Sequence, residues 1–131
     1  MRDYQVLMIE PDHILGDVYK NHLEKFNYRV RLCNDVQQAI NDIDALEPDL
    51  IILELKMKGH NGYEFLYELR SYPEWQNIPV IIHSMIPEGD TGLDQGSKAE
   101  LGIVEYLYKP TSSLGKLHYE INKLFFVNTP K

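Results

Sequence analysis

Five polar residues sit at or just beyond the ends of short apolar runs. Glu10 and Asp12 follow run 4–9, Glu54 lies near the end of run 49–55, Ser84 follows run 78–83, and Lys109 follows run 104–108. If those runs are parallel strands of one open sheet, their carboxyl ends meet in the crevice where such sheets hold ligands. Three acids, a hydroxyl and a lysine would then face one another. Carboxylates of this kind can ligate a hard cation. A lysine and a hydroxyl can hold anionic oxygens, or the lysine can pair with the acids directly.

The elements that would bring these groups together are readable from periodicity. Runs 4–9, 28–33, 49–55, 78–83 and 104–108 have strand length and are rich in Val, Ile, Leu or Tyr. The first, third and fourth are nearly continuous in apolar character, as strands covered on both faces must be. Tyr28, Val30 and Leu32 alternate with Arg29 and Arg31, which puts the second strand at an edge.

Helical periods fill the intervals. Leu15, Val18, Tyr19, His22, Leu23 and Phe26 form one stripe. Asp35 caps a second helix with the stripe Val36, Ala39, Ile40, Ile43 and Leu46, stopped by Pro48. Residues 63–70 form a third helix with Phe65, Leu66 and Leu69 inward, and Pro73 lies beyond its end. A last helix starts near Ser112 or Ser113 and carries Leu114, Leu117, Ile121, Leu124 and Phe125. Residues 84–97 contain a proline and three glycines, which predicts a long mobile loop and then a short helix ending near Gly102.

Five strand–helix alternations imply parallel strands, right-handed crossovers and helices on both faces, an α/β three-layer fold. We expect a single domain over residues 1–126 and a frayed tail over 127–131.

Composition narrows the function. The 131 residues carry 13 Lys plus Arg against 20 Asp plus Glu, a net charge of −7, and 44% are hydrophobic. One core is enough at this length. Direct binding to nucleic acid or to an anionic membrane is not expected, because both need a basic surface. The sole cysteine, Cys33, reads as a small buried apolar residue, and its isolation suits a reducing cytoplasm. No stretch is long enough for a membrane span.

Other apparent motifs fail on spacing. His13, His22, His60, His83 and His118 show no clustered metal-ligand pattern, so structural roles are expected. The stretch 92–98 lacks the Gly-Lys adjacency of a phosphate loop. Gly59, His60, Asn61 and Gly62 read as a turn into the third helix.

Taken in order, Ile9-Glu10-Pro11-Asp12, the segment 48–55 followed by Gly59 and Gly62, the segment 78–82 leading to Ser84, and Tyr106-Leu107-Tyr108-Lys109-Pro110 resemble the receiver domain of two-component response regulators over nearly the whole chain. The resemblance implies a flavodoxin-like (βα)5 fold with strand order 2-1-3-4-5. It also implies phosphoryl transfer from a kinase histidine to an aspartate ending the third strand, beside Mg²⁺. A lysine and a hydroxyl would hold the phosphoryl oxygens, and an aromatic switch would turn inward when the hydroxyl is drawn over. Lys109, Ser84 and Tyr106 match those last three roles. The lysine is followed by Pro110, and this bond, which can favour a turn, is often cis in the family, which favours the pocket reading of Lys109.

Two positions depart from the pattern. Glu54 stands where the phosphorylated aspartate belongs, and its extra methylene displaces the carboxylate by roughly an ångström, which costs about a hundredfold where positioning is the catalysis. Pro11 stands where a direct metal ligand belongs and brings no side-chain oxygen. No cofactor is expected, and Mg²⁺ binding through Glu10, Asp12 and Glu54 is expected to be weak or absent.

The expected function is therefore a cytoplasmic, non-enzymatic pseudo-receiver that signals by binding a protein, either a histidine kinase or an output protein. A homodimer through the last strand and last helix is expected, with Tyr108 or Phe126 as an anchor. The alternatives are a conventional phospho-accepting receiver and a small-ligand α/β domain holding a nucleotide or flavin.

Overall fold

A computed structural model describes residues 3–58 and 61–127. Five strands form one parallel sheet: β1 (Tyr4–Ile9), β2 (Tyr28–Cys33), β3 (Leu50–Leu53), β4 (Val80–Ser84) and β5 (Ile103–Tyr108). Their order is β2-β1-β3-β4-β5, and β2 is an edge. The α-helices are α1 (His13–Glu24), α2 (Val36–Leu46), α3 (Gly62–Ser71), α4 (Gln95–Glu100) and α5 (Leu114–Asn122). β1 and β2 have the bounds read from sequence. β3 is shorter than its apolar run, which places Glu54 just past the strand end, while β4 takes in Ser84.

Because side chains alternate across a strand, each strand feeds two cores. Leu7, Ile9, Ile51, Leu53, Val80 and Ile82 pack with Ile43, Phe65, Leu66 and Leu69 of α2 and α3. Val6, Met8, Leu50, Ile52, Ile81 and Leu107 pack with Tyr19 and Leu23 of α1 and Leu117 and Ile121 of α5. Every α-helix begins with a short polar side chain that accepts a bond from the backbone three residues on: Asp12, Asp35, Asn61, Asp94 and Ser113. Such caps satisfy amides the helix cannot.

The apolar stripe of α1 needs correcting. Tyr19 and Leu23 are buried, but Val18 and Phe26 are exposed and Gly16 is buried in their place. The helix lies so close to β2 that a Cβ at Gly16 would fall 2.8 Å from the Leu32 side chain. That close approach rotates the inward arc toward Gly16 and away from Val18.

Between β4 and β5 the chain makes a 3-10 turn (Glu88–Asp90) and then the six-residue α4, capped at its end by Leu101. This segment is anchored by Arg70. Its guanidinium donates to the carbonyls of Leu101 (2.8 Å), Trp75 (3.2 Å), Gln76 (2.7 Å) and Ile78 (2.7 Å), tying the α3–β4 turn to the α4–β5 turn. Gly102 lies against it at φ +70°, where a Cβ would sit 2.5 Å from the Arg70 Nη2. After α5 the backbone widens into a π-helical turn, Lys123–Val127. Of the expected frayed tail, residues 128–131 lie outside the described residues, as do Gly59 and His60 of the turn before α3.

Candidate functional site

Register sets the level at which the polar groups leave the sheet. Ile9 pairs with Leu53, so Glu10 and Glu54 emerge side by side, and the Glu54 amide donates to the Ile9 carbonyl at 3.1 Å. Ser84 pairs with Tyr108, which delivers Lys109 to the same crevice.

There the Lys109 ammonium lies 2.6 Å from Glu10 Oε1 and 2.8 Å from Glu54 Oε1. All three side chains are almost completely buried, at 7%, 3% and 2% exposure. A pair this dry is held by geometry rather than by bulk charge, since desolvation consumes most of the Coulomb gain unless hydrogen bonds fill the remaining lone pairs.

Glu54 meets that condition. Its Oε1 accepts from the Lys109 ammonium and from the Met85 amide at 3.0 Å. Its Oε2 accepts from the Ser84 hydroxyl and from the Lys56 amide at 3.0 Å. Four donors for two oxygens leave the carboxylate saturated and immobile. Ser84 also accepts from the Ile86 amide at 3.0 Å, which ties the β4–α4 loop to the carboxylate. Tyr106 is turned inward at 9% exposure and donates to the Ile86 carbonyl at 2.5 Å.

The two acids differ in protonation energetics although they share one cation. Burial pushes Glu10 up, and Lys109 and the Asp12 amide offset this only in part, so its pKa is raised above the usual value. Burial also acts on Glu54, but the bonds from Lys109, Lys56 and Ser84 outweigh it and hold its pKa below the usual value. Glu54 is the better-solvated anion because it has more donors.

Two of the pocket readings are corrected by the structure. Asp12 does not join the crevice: its carboxylate accepts from the Leu15 amide at 3.0 Å and caps α1, which is the cheaper fate for an acid at a helix start. The Lys109–Pro110 bond is trans, since no described peptide bond is cis; Pro110 lies in the 3-10 turn Lys109–Thr111, whose backbone its fixed φ suits. The acids also do not assemble as a metal site. Among the described residues no three His, Cys, Asp or Glu side chains gather as potential ligands. With Pro11 lacking an oxygen, Asp12 engaged in capping, and both buried carboxylates met by Lys109, the residues do not fit the oxygen octahedron of Mg²⁺.

Three participants were not legible in sequence. The amides of Lys56 and Met85 carry no side-chain signature. His83 was read as merely structural, yet it is 2% exposed and packs edge-on against Tyr19 at 4.7 Å, next to Ser84 in chain. Its Nε2 has no hydrogen-bond partner, and burial, then the nearby Lys109, push its pKa down to about 4. Its position beside a pocket residue was the one available signal. Cys33 is buried as expected, with burial and then Asp42 raising its thiol pKa to about 11. No described helix is long and apolar enough to cross a membrane.

Comparison with known proteins places this geometry. A family model described as the response regulator receiver domain matches residues 6–122. The response regulator protein GraR of Staphylococcus aureus is 27% identical over 106 residues, covering 81% of this chain and 45% of that protein. The chain therefore spans about half the length of the curated relatives it matches. Among solved structures, the Francisella response regulator 1452 receiver domain has a TM-score of 0.80 at 24% identity, with 96% of this chain and 99% of that one covered. Chemotaxis protein CheY4 of Vibrio cholerae has a TM-score of 0.81 at 17% identity, with 93% and 98% covered. At these identities the structural likeness speaks to fold.

Proposed function

The chain belongs to the response regulator receiver domain family of two-component signalling, and from that premise we propose that it is a pseudo-receiver, held in one signalling state by Glu54 and acting through protein contacts rather than phosphorylation. The saturated Glu54 carboxylate carries this reading. A nucleophile needs a free lone pair directed at phosphorus, and both Glu54 oxygens already accept two bonds each. Those donors, an ammonium, a hydroxyl and two amides, are also the kind that would hold phosphoryl oxygens. The longer glutamate side chain takes them for itself, with Ser84 drawn over and Tyr106 inward. Glu10, Ser84, Tyr106 and Lys109 are on this reading parts of a lock, with Asp12 outside it.

Incubation with acetyl phosphate and Mg²⁺ is expected to leave the protein unmodified by intact-mass measurement. Stoichiometric phosphorylation that disappears in Glu54→Gln would sink the proposal in favour of a conventional receiver.

The partner surface we assign is the face of β5 and α5, and the partner a second copy. On a protein of net charge −7, this face balances two lysines (Lys116, Lys123) against two glutamates (Glu105, Glu120). Two acidic copies can approach there without net repulsion. Val104 and Tyr119 are 48% and 59% exposed on it. Tyr108, one of the two anchors expected from sequence, is half-buried, whereas Phe126 is exposed. Sedimentation velocity should show concentration-dependent dimers, abolished by Val104→Asp. A wild-type protein that stays monomeric up to millimolar concentration would refute this assignment.

A further inference from the structure

At the opposite end of the sheet from the lock, the end of α2 and the α3–β4 turn enclose a groove of about 320 Å³. Its floor is apolar: Ile43, Pro48, Trp75 and Ile78. Its rim carries Asp44, Glu47 and Glu74. Asp44 is engaged, accepting from the Trp75 indole at 2.7 Å. The Glu47 and Glu74 side chains are exposed and, among the described residues, their carboxylates make no hydrogen bond or ion pair, the Glu47 amide alone donating to the Ile43 carbonyl. Several other surface acids are ion-paired, Asp3 with Arg29, Asp42 with Arg31, Glu88 with Lys98, and Glu120 with Lys116 and Lys123, while the exposed Asp17, Asp90 and Glu100, unpaired among the described residues, lie outside this groove. One wall is made rigid by the Arg70 bonds to the carbonyls of Trp75, Gln76 and Ile78.

We propose that this groove docks an arginine-bearing segment of a protein partner. The arginine stem would lie along the Trp75, Pro48 and Ile78 floor, and its guanidinium would be met by Glu47 and Glu74. The volume suits one long side chain with an apolar neighbour rather than a folded element. A flat, weakly hydrated guanidinium matches a carboxylate pair beside an indole better than an ammonium does. A second copy of this chain is the poorer occupant, because among its described arginines Arg29 and Arg31 are already paired with acids and Arg70 is turned inward onto backbone carbonyls. The groove is remote from Glu54, so this inference stands or falls independently of the lock.

Trp75 is the only tryptophan, so emission excited selectively at the indole, to the red of tyrosine absorption, reports on this groove alone. The probe is the blocked tripeptide Leu-Arg-Leu, compared with its citrulline twin, which keeps the shape and loses the charge. The expected result is a saturable change in Trp75 emission with the arginine peptide, and roughly tenfold weaker binding to the Glu47→Gln/Glu74→Gln variant. Far-UV circular dichroism and an unchanged melting temperature check that the variant is folded, and the single Glu74→Gln change should weaken binding by an intermediate factor. An equal response to the citrulline peptide, an unaffected variant, or no saturable change would overturn the proposal. So would a peptide-free emission shift that tracks protein concentration, which would assign the groove to self-association.

Discussion

Replacing Lys109 with methionine should cost roughly 3–5 kcal/mol of folding stability near neutral pH, the usual penalty for removing one partner from a buried ion pair. The substitution keeps the stem and leaves Glu10 and Glu54, both 2% exposed, facing each other without a cation. The pH dependence is the diagnostic part. In the wild type the Glu54 pKa is held below its ordinary value, so its stabilising contribution is present above the unfolded-state carboxylate pKa and is lost as pH falls through the folded value. In Lys109→Met both carboxylates keep the burial effect and lose the compensating ammonium, so both pKa values rise. Groups with raised values favour the folded state as pH falls, and the variant should therefore recover stability on acidification where the wild type declines. Urea unfolding at about pH 7 and about pH 5 measures the recovery of the variant, and a wild-type series continued below the ordinary carboxylate value of 4.5 measures the Glu54 loss. Adding Glu54→Gln to the variant should restore part of the loss by removing one unpaired charge. A cost below about 1 kcal/mol, the same at both pH values, would mean that the three groups do not form a coupled lock.

His83 should dominate the acid limb of the wild-type stability curve. Its imidazole is buried against Tyr19 with Nε2 unpartnered, and its pKa falls from the ordinary 6.5 to about 4. A histidine with a depressed value favours the fold in its neutral form. The associated stability is complete above the unfolded-state value, and it drains away as pH drops from 6.5 toward 4. That interval corresponds to about 3 kcal/mol. His83→Leu, which fills similar space without a proton to gain, should flatten the curve over this window, leaving the opposed contributions of Glu10, raised, and Glu54, lowered. Chemical denaturation across the window decides the matter, and an unchanged slope in the variant would show that His83 is not the titrating group. In functional terms, protonated His83 would set a second cation beside Lys109 and so loosen the lock in acid, by less than the whole interval because burial is the larger cause of the shift.

Much of this architecture was legible because it follows from local rules. The β1 and β2 bounds, the edge position of β2, the caps at Asp35 and Ser113 and the inward face of α3 all come from period and from short polar side chains at helix starts. The α1 stripe was misread because Val18 fits a helical period as well as Gly16 does. Only the closeness of Leu32 on another element decides which of them is inside. Asp12 shows the same limit: a carboxylate one residue beyond Pro11 could point either way, and the local cap outcompeted the distant crevice.

By itself the amino-acid order placed Glu10, Glu54, Ser84 and Lys109 at or near the carboxyl ends of their strands, because side-chain alternation and strand length are short-range properties, and the strand order implied by the resemblance brought them to one crevice. Only the tertiary structure decided how they meet. That Lys109 bridges both acids, that the Lys56 and Met85 amides complete the Glu54 shell, and that His83 lies dry beside them all depend on burial and donor geometry. These are set by chain segments that lie far apart in sequence and become neighbours only when the sheet closes.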